Sequence, residues 1–90
     1  SIDPEVEEWI GRVKIYIQQR MAEKLIESGK YSDAVTLLQS AQKTAIQLGQ
    51  QEVATQLQSN ITKLQRGERL TKEEQIKTKI ITKTTILKQK

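Results

Sequence analysis

Cysteine, histidine and phenylalanine are all missing from this 90-residue sequence. Without cysteine there can be no disulfide, no thiolate zinc site and no Cys nucleophile. Without histidine, the commonest general base and the commonest metal ligand are both gone. Aromatic residues are reduced to Trp9, Tyr16 and Tyr31, and Met21 is the one methionine. The core must therefore come from Leu, Ile, Val and Ala. So thin a core with no covalent or metal staple is marginal alone, which favours docking on another chain or on a parent domain. No apolar run approaches the roughly 18 residues that span a bilayer, so no membrane role is expected. The opening Ser1-Ile2-Asp3-Pro4-Glu5 has no basic or apolar leader and reads as a cut inside a longer protein. A cytoplasmic setting fits the lack of cysteine.

Charge of one sign is scarce only in places. Residues 1–62 carry 6 basic and 8 acidic side chains, whereas residues 63–90 carry 9 basic and 3 acidic. The net charge of +4 thus belongs to the C-terminal end, behind a mildly acidic first two-thirds.

Helical punctuation is plain. Asp3 is a good N-cap, Pro4 suits the first helical position, and Glu5, Glu7 and Glu8 sit where the helix dipole favours anions. Val6, Ile10, Val13, Ile17, Met21 and Leu25 then recur at steps of 3 or 4 that keep one face apolar, a stripe widened by Trp9, Tyr16 and Ala22. Gly11 costs about 1 kcal/mol relative to Ala; it either permits close packing or is neutral. Gly29 ends this helix in the left-handed C′ role. Helix 2 starts from Ser32 or Asp33 and carries a narrow seam of Ala34, Leu38, Ala41, Ala45 and Leu48, suited to close antiparallel packing. Gly49 closes it. Helix 3 uses Val53 or Ala54, then Leu57, Ile61 and Leu64, up to Gly67. Turns this short force antiparallel neighbours.

The last segment opens on a capping box, Thr71-Lys72-Glu73-Glu74, with Leu70 as a staple residue. Ile76 and Ile80 keep a helical spacing, although Ile76-x-Thr78-x-Ile80 also fits a strand. From Ile80 onwards β-branched residues dominate and helix propensity falls, so an extended or frayed end is expected after about residue 82.

The pattern Gly29-x-Tyr31-x-x-Ala34-x-x-x-Leu38-x-x-Ala41 resembles the turn and second helix of a tetratricopeptide unit, or equally a generic helical hairpin. No second copy follows at a 34-residue period, which excludes a repeat array. The basic residues Lys72, Lys77, Lys79, Lys83 and Lys88 form a candidate docking tail. A nucleic-acid-binding role for segment 63–90 is the alternative, but no aromatic stacking platform follows Tyr31, and Glu68, Glu73 and Glu74 interrupt the charge. The carboxylates at Glu5, Glu7, Glu8, Glu73 and Glu74 lie in first helical turns, where the dipole explains them without acid–base work. No catalytic residue, cofactor site or metal site is expected.

Over roughly residues 5–85 the chain resembles the C-terminal helical region that follows the von Willebrand factor A (VWA) domain in bacterial, particularly cyanobacterial, proteins. The residues that carry this are Ala22, Ile26, Gly29, Tyr31, Ala34, Leu37, Leu38 and Ala41, then Ala45-Ile46-Gln47-Leu48-Gly49, and Leu64-x-x-Gly67-Glu68-x-Leu70-Thr71-x-Glu73 followed by Lys77-Thr78-Lys79. The Asp-x-Ser-x-Ser metal motif of such domains does not occur in this sequence. The resemblance implies a non-catalytic role in protein–protein interaction or assembly of the parent.

The expected fold is therefore all-α: an antiparallel three-helix bundle at about 4–28, 33–48 and 51–66, plus a basic helix at about 72–82. Residues 1–70 form the bundle, and 71–90 form a helix or tail of the same domain or an oligomer arm. The expected partner is protein, either a parent VWA domain or a second copy, with a dimer favoured. The apolar residues Val6, Trp9, Ile10, Val13 and Ile17 on helix 1 exceed what two short Ala-rich helices can cover, and they form the candidate partner-binding surface.

Overall fold

The computed structural model describes residues 3–87, and all regular structure among them is helical: α1 (Pro4–Glu27), α2 (Tyr31–Gln47), α3 (Gln51–Gln65) and α4 (Lys72–Leu87). Asp3 caps α1, its Oδ1 accepting from the Glu5 backbone N–H at 2.9 Å, with Pro4 in the first turn. The first three helices end alike. At Gly29 (φ 77°) the Gly29 N–H donates to Ile26 O and the Lys30 N–H to Leu25 O; the same pair of bonds recurs around Gly49 and Gly67. This is the Schellman arrangement, which needs a left-handed residue that only glycine supplies cheaply.

At the first two turns it leaves one residue before the next helix begins. Helix α2 therefore starts at Tyr31 from Lys30, with no side-chain cap, and Ser32 and Asp33 lie inside its first turn instead of capping it. The third connection is longer. Thr71 and Glu74 exchange the two capping-box bonds, Glu74 N–H to Thr71 Oγ1 at 3.1 Å and Thr71 N–H to Glu74 Oε1 at 2.9 Å. Leu70 is buried with the core.

Contacts between helices fix an up-down-up-down order. Gln18 Nε2 donates to Ser40 Oγ, a pair placed symmetrically about Gly29, and Gln42 Nε2 donates to Gln58 Oε1, symmetrical about Gln50. Among the described residues, α1 packs on α2 and α4, and α3 packs on α2 and α4; α1 and α3 do not approach each other closely. Helix α4 completes a ring of four, where a separate three-helix bundle with an added helix was expected. It also runs to Leu87, past the expected end near residue 82. Its threonines satisfy their hydroxyls within the helix: Thr78, Thr82 and Thr85 each donate to the carbonyl four residues back, at 2.8, 3.0 and 3.0 Å. Arg12 Nη1 then donates to the Thr85 carbonyl at 3.1 Å and ties the far end of α4 to α1.

The core is Ile15 and Ala22 from α1, Ala34, Leu38, Ala41 and Ala45 from α2, Val53, Ala54, Leu57, Ile61 and Leu64 from α3, and Leu70. The α2 and α3 seams are those expected, with both Val53 and Ala54 inside and Leu48 half-buried. On α1 the apolar stripe is not the seam: the buried residues are Ile15, Gln19 and Ala22, while Val6, Ile10, Ile17 and Met21 stand exposed. Gly11 earns its place by proximity: a Cβ built there would lie 2.9 Å from Leu48 Cδ1.

A polar layer joins α3 to α4. Asn60 Nδ2 donates to Thr78 Oγ1 at 2.8 Å, Asn60 Oδ1 accepts from Gln56, and Thr78 and Thr82 are each 1 % exposed. A buried donor stripped of its acceptor costs about 1–3 kcal/mol. Thr78→Val alone is thus expected to destabilise by about that amount in urea unfolding, while Asn60→Leu combined with Thr78→Val recovers most of the loss. Equal destabilisation by the single and the double variant would refute the pairing.

Candidate functional site

Burial sorts the side chains of α1 into two apolar sides. One, through Ile15, Ala22 and Ile26, meets α2 and the core. The other carries Val6, Trp9, Ile10, Ile17 and Met21, all between 44 % and 50 % exposed. Of the proposed binding residues, Val6, Trp9, Ile10 and Ile17 are therefore available on the surface, and Val13 is half-buried beside them. The structure brings these five onto one helix flank without any of them being required to close the core.

Helix α4 repeats the arrangement in sharper form. Its polar residues Thr78 and Thr82 face inward, and Ile76, Ile80 and Leu87 face solvent, Ile80 at 56 %. Sequence reasoning gave Ile76 and Ile80 a helical spacing without assigning them a side, and did not find this inversion. The usable signal was the competing ladder Thr78, Thr82, Thr85, which has helical spacing too and matches the lone Asn60 on α3. Of the nine exposed large hydrophobic residues among the described residues, five lie on α1 and three on α4; the other is Ile46 on α2.

Charges surround these faces unevenly. Lys72, Lys77 and Lys83 are exposed and Lys79 is half-buried, so the basic side chains spread around α4 and do not converge; Lys88 lies outside the described residues. Lys63 pairs with Glu74 across the α3–α4 junction, Arg12 pairs with Glu8, and Arg20 with Glu23 at 3.1 Å. Glu5 and Glu7 occupy the first turn of α1 and Glu73 and Glu74 that of α4, where dipole stabilisation accounts for them. Among the described residues there is no group of three or more acidic side chains placed to hold a metal, and no helix is long and apolar enough to cross a membrane. An open groove of about 720 Å³ runs between the first half of α1 and the end of α2, floored by Ile10, Gly11 and Leu48 and rimmed by Glu7, Glu8 and Lys14.

The two sides of α1 give a direct mutational contrast. Ile15, 1 % exposed, should cost about 2–5 kcal/mol on truncation to Ala. Ile17→Ala, at a position 50 % exposed, should cost under about 1 kcal/mol in dilute chain. Urea titrations of the two variants check this, and a reversed order would mean that the helix is turned the other way.

Residues 4–88 match the family model described as the Sll0103-like, C-terminal alpha-helical domain. The chain is also similar to the uncharacterised protein sll0103 of Synechocystis sp. (strain ATCC 27184 / PCC 6803 / Kazusa), 42 % identical over 86 residues that make up 96 % of this chain. Those residues span 20 % of that relative's length. No solved structure matches the chain.

Proposed function

The chain belongs to the family of Sll0103-like C-terminal alpha-helical domains, and on that premise we propose that it is a non-catalytic protein-interaction module. The observation that carries this reading is the exposed flank of α1: Val6, Trp9, Ile10 and Ile17, with Val13, form an apolar strip outside a core that closes without them. An apolar strip left in water is a cost to an isolated domain, and contiguous patches of this kind mark surfaces that meet other proteins. Trp9 is suited to an anchor, since a large aromatic gains more from desolvation than any other side chain on the strip.

The domain accounts for a fifth of its relative's length, which fits an appendage that organises a larger protein. The resemblance in Ala22, Gly29, Tyr31, Ala34, Leu38 and Ala41 supports the narrower reading that the parent carries a VWA domain and that this module serves its assembly.

Trp9 is the only tryptophan and sits within the proposed surface, so its fluorescence reports docking directly. With the chain dilute, emission should be that of a solvated indole, readily quenched by acrylamide. Adding the remaining, non-matching part of sll0103, or raising the chain's own concentration, should shift emission to the blue and protect it from quencher. Trp9 left equally quenchable in both titrations would remove the interaction reading.

A further inference from the structure

The exposed stripe of α1 points straight away from the core. At 3.6 residues per turn, Val6, Ile10, Val13 and Ile17 all project within about 40° of the direction opposite Ile15, which is 1 % exposed. Neither α2 nor α4 lies on that side, since α1 meets them through Gln18 and Arg12. The four stripe residues follow steps of 4, 3 and 4, which read the same from either end. Charged and aromatic residues flank them separately. Glu7 and Lys14 lie on the flank towards α2, where both line the open groove beside Leu48. Both are exposed, and neither enters an ion pair among the described residues. Trp9, exposed, and Tyr16, half-buried, lie on the other flank.

We infer that this stripe packs on the same stripe of a second copy of the chain, α1 against α1 and antiparallel. The two-fold axis is perpendicular to α1 and level with the midpoint between Gly11 and Arg12. This rests on the interaction reading above and deepens it by naming the partner. Such an axis reverses height along the helix and keeps each flank facing its own counterpart. Val6 therefore comes level with Ile17 of the second copy and Ile10 with Val13. Each contact is made twice, which is what an isologous interface requires. The flanks favour the same occupant. Along the helix, Glu7 comes within about 3 Å of the height of the second copy's Lys14, at 1.5 Å per residue. Two opposite charges unpaired within the described chain thus meet on either side of the axis. Trp9 comes equally near the height of the second copy's Tyr16, within reach of an edge-to-face aromatic contact. A parallel pairing would instead turn the charged flank against the aromatic one and leave the charges unmatched. A contact one helix wide and about three turns long falls short of the roughly 800 Å² per partner of a standard stable interface, so association is weak and concentration-dependent.

The absence of cysteine makes introduced thiols the only ones. Val6→Cys and Ile17→Cys chains are prepared separately, checked for unchanged helical dichroism, and treated with a short bifunctional thiol cross-linker alone and after mixing. Like positions lie about 17 Å apart across this axis, so the mixture should yield covalent dimer several-fold above either single-variant sample. A mixture that yields no more than Val6→Cys alone would overturn the antiparallel geometry. Charge gives a second readout. Glu7→Lys and Lys14→Glu should each self-associate a few-fold less than the unaltered chain in sedimentation, and the two variants mixed should regain the loss, because each supplies the sign that the other lacks. A mixture no better than its components would overturn this register. A strict monomer of the unaltered chain up to about 1 mM would overturn self-pairing itself. In that event, Trp9 protected by the rest of sll0103 would still uphold the interaction module, so the two readings fail separately.

Discussion

Close approach at the alanine seam of α2 is the constraint from which the rest of the structure follows. Ala34, Ala41 and Ala45 are fully enclosed and Leu38 nearly so, which means that α1 and α3 both reach α2 almost to backbone contact. Small residues permit that approach, and Gly11 extends it on α1, where the end of the Leu48 side chain would have to shift to admit a Cβ. What close packing gives in dispersion contacts it takes away in volume. The body measures 42 × 23 × 19 Å, so its interior admits one narrow row of side chains per helix. A 24-residue helix such as α1, roughly 36 Å long, runs most of the length of this body with only Ile15, Gln19 and Ala22 wholly inside.

That narrowness explains the polar layer. Asn60, Thr78 and Thr82 are buried together; the Asn60 amide donates to the Thr78 hydroxyl, and the Thr82 hydroxyl donates to the backbone carbonyls of Thr78 and Lys79. A net gain of about 1 kcal/mol from such a bond is modest, but its geometry is directional. A ladder of threonines on α4 can meet Asn60 only in one register, whereas a ladder of isoleucines could slide. The inner face of α4 thus sets position, and Lys63 with Glu74 reinforces it at the start of the helix.

Much of this architecture was legible in the residues themselves. Glycine at 29, 49 and 67 declared the turns, Asp3-Pro4 and the Thr71–Glu74 box declared two helix starts, and the α2 and α3 seams were readable because their apolar positions have a single helical phase. The sides of α1 and α4 were not readable, for a physical reason. Helix α1 has two apolar phases, and the longer one, Val6 to Met21, is the outer one; the inner phase is interrupted by Gln19, a residue rarely assigned to a core. Helix α4 goes against the rule at most positions, with Thr78 and Thr82 in and Ile76 and Ile80 out, although Ile81 packs on the core. Hydropathy periodicity reports that a helix has a preferred side but not what lies against it, and the choice is made by the neighbour. Here the neighbours are the alanines of α2 and Asn60 of α3. The excess of large apolar residues on α1 over available cover could nevertheless be judged from composition, whereas the exposure of Ile76 and Ile80 on α4 depended on the inversion.

The two anomalies share one cause. A chain free to optimise itself as an isolated body would place Ile17, Met21, Ile76 and Ile80 inside and send Gln19, Thr78 and Thr82 to the water; each such exchange moves a residue worth about 1.5–3 kcal/mol on full burial to the side where it gains most. This chain does the reverse on two adjacent helices. Stability forgone inside the domain is recoverable only where those outer residues leave water, and that cannot happen within a body this thin. The polar inner layer holds α4 in one register. The interior therefore decides which apolar residues of α1 and α4 are left on the outside of the molecule.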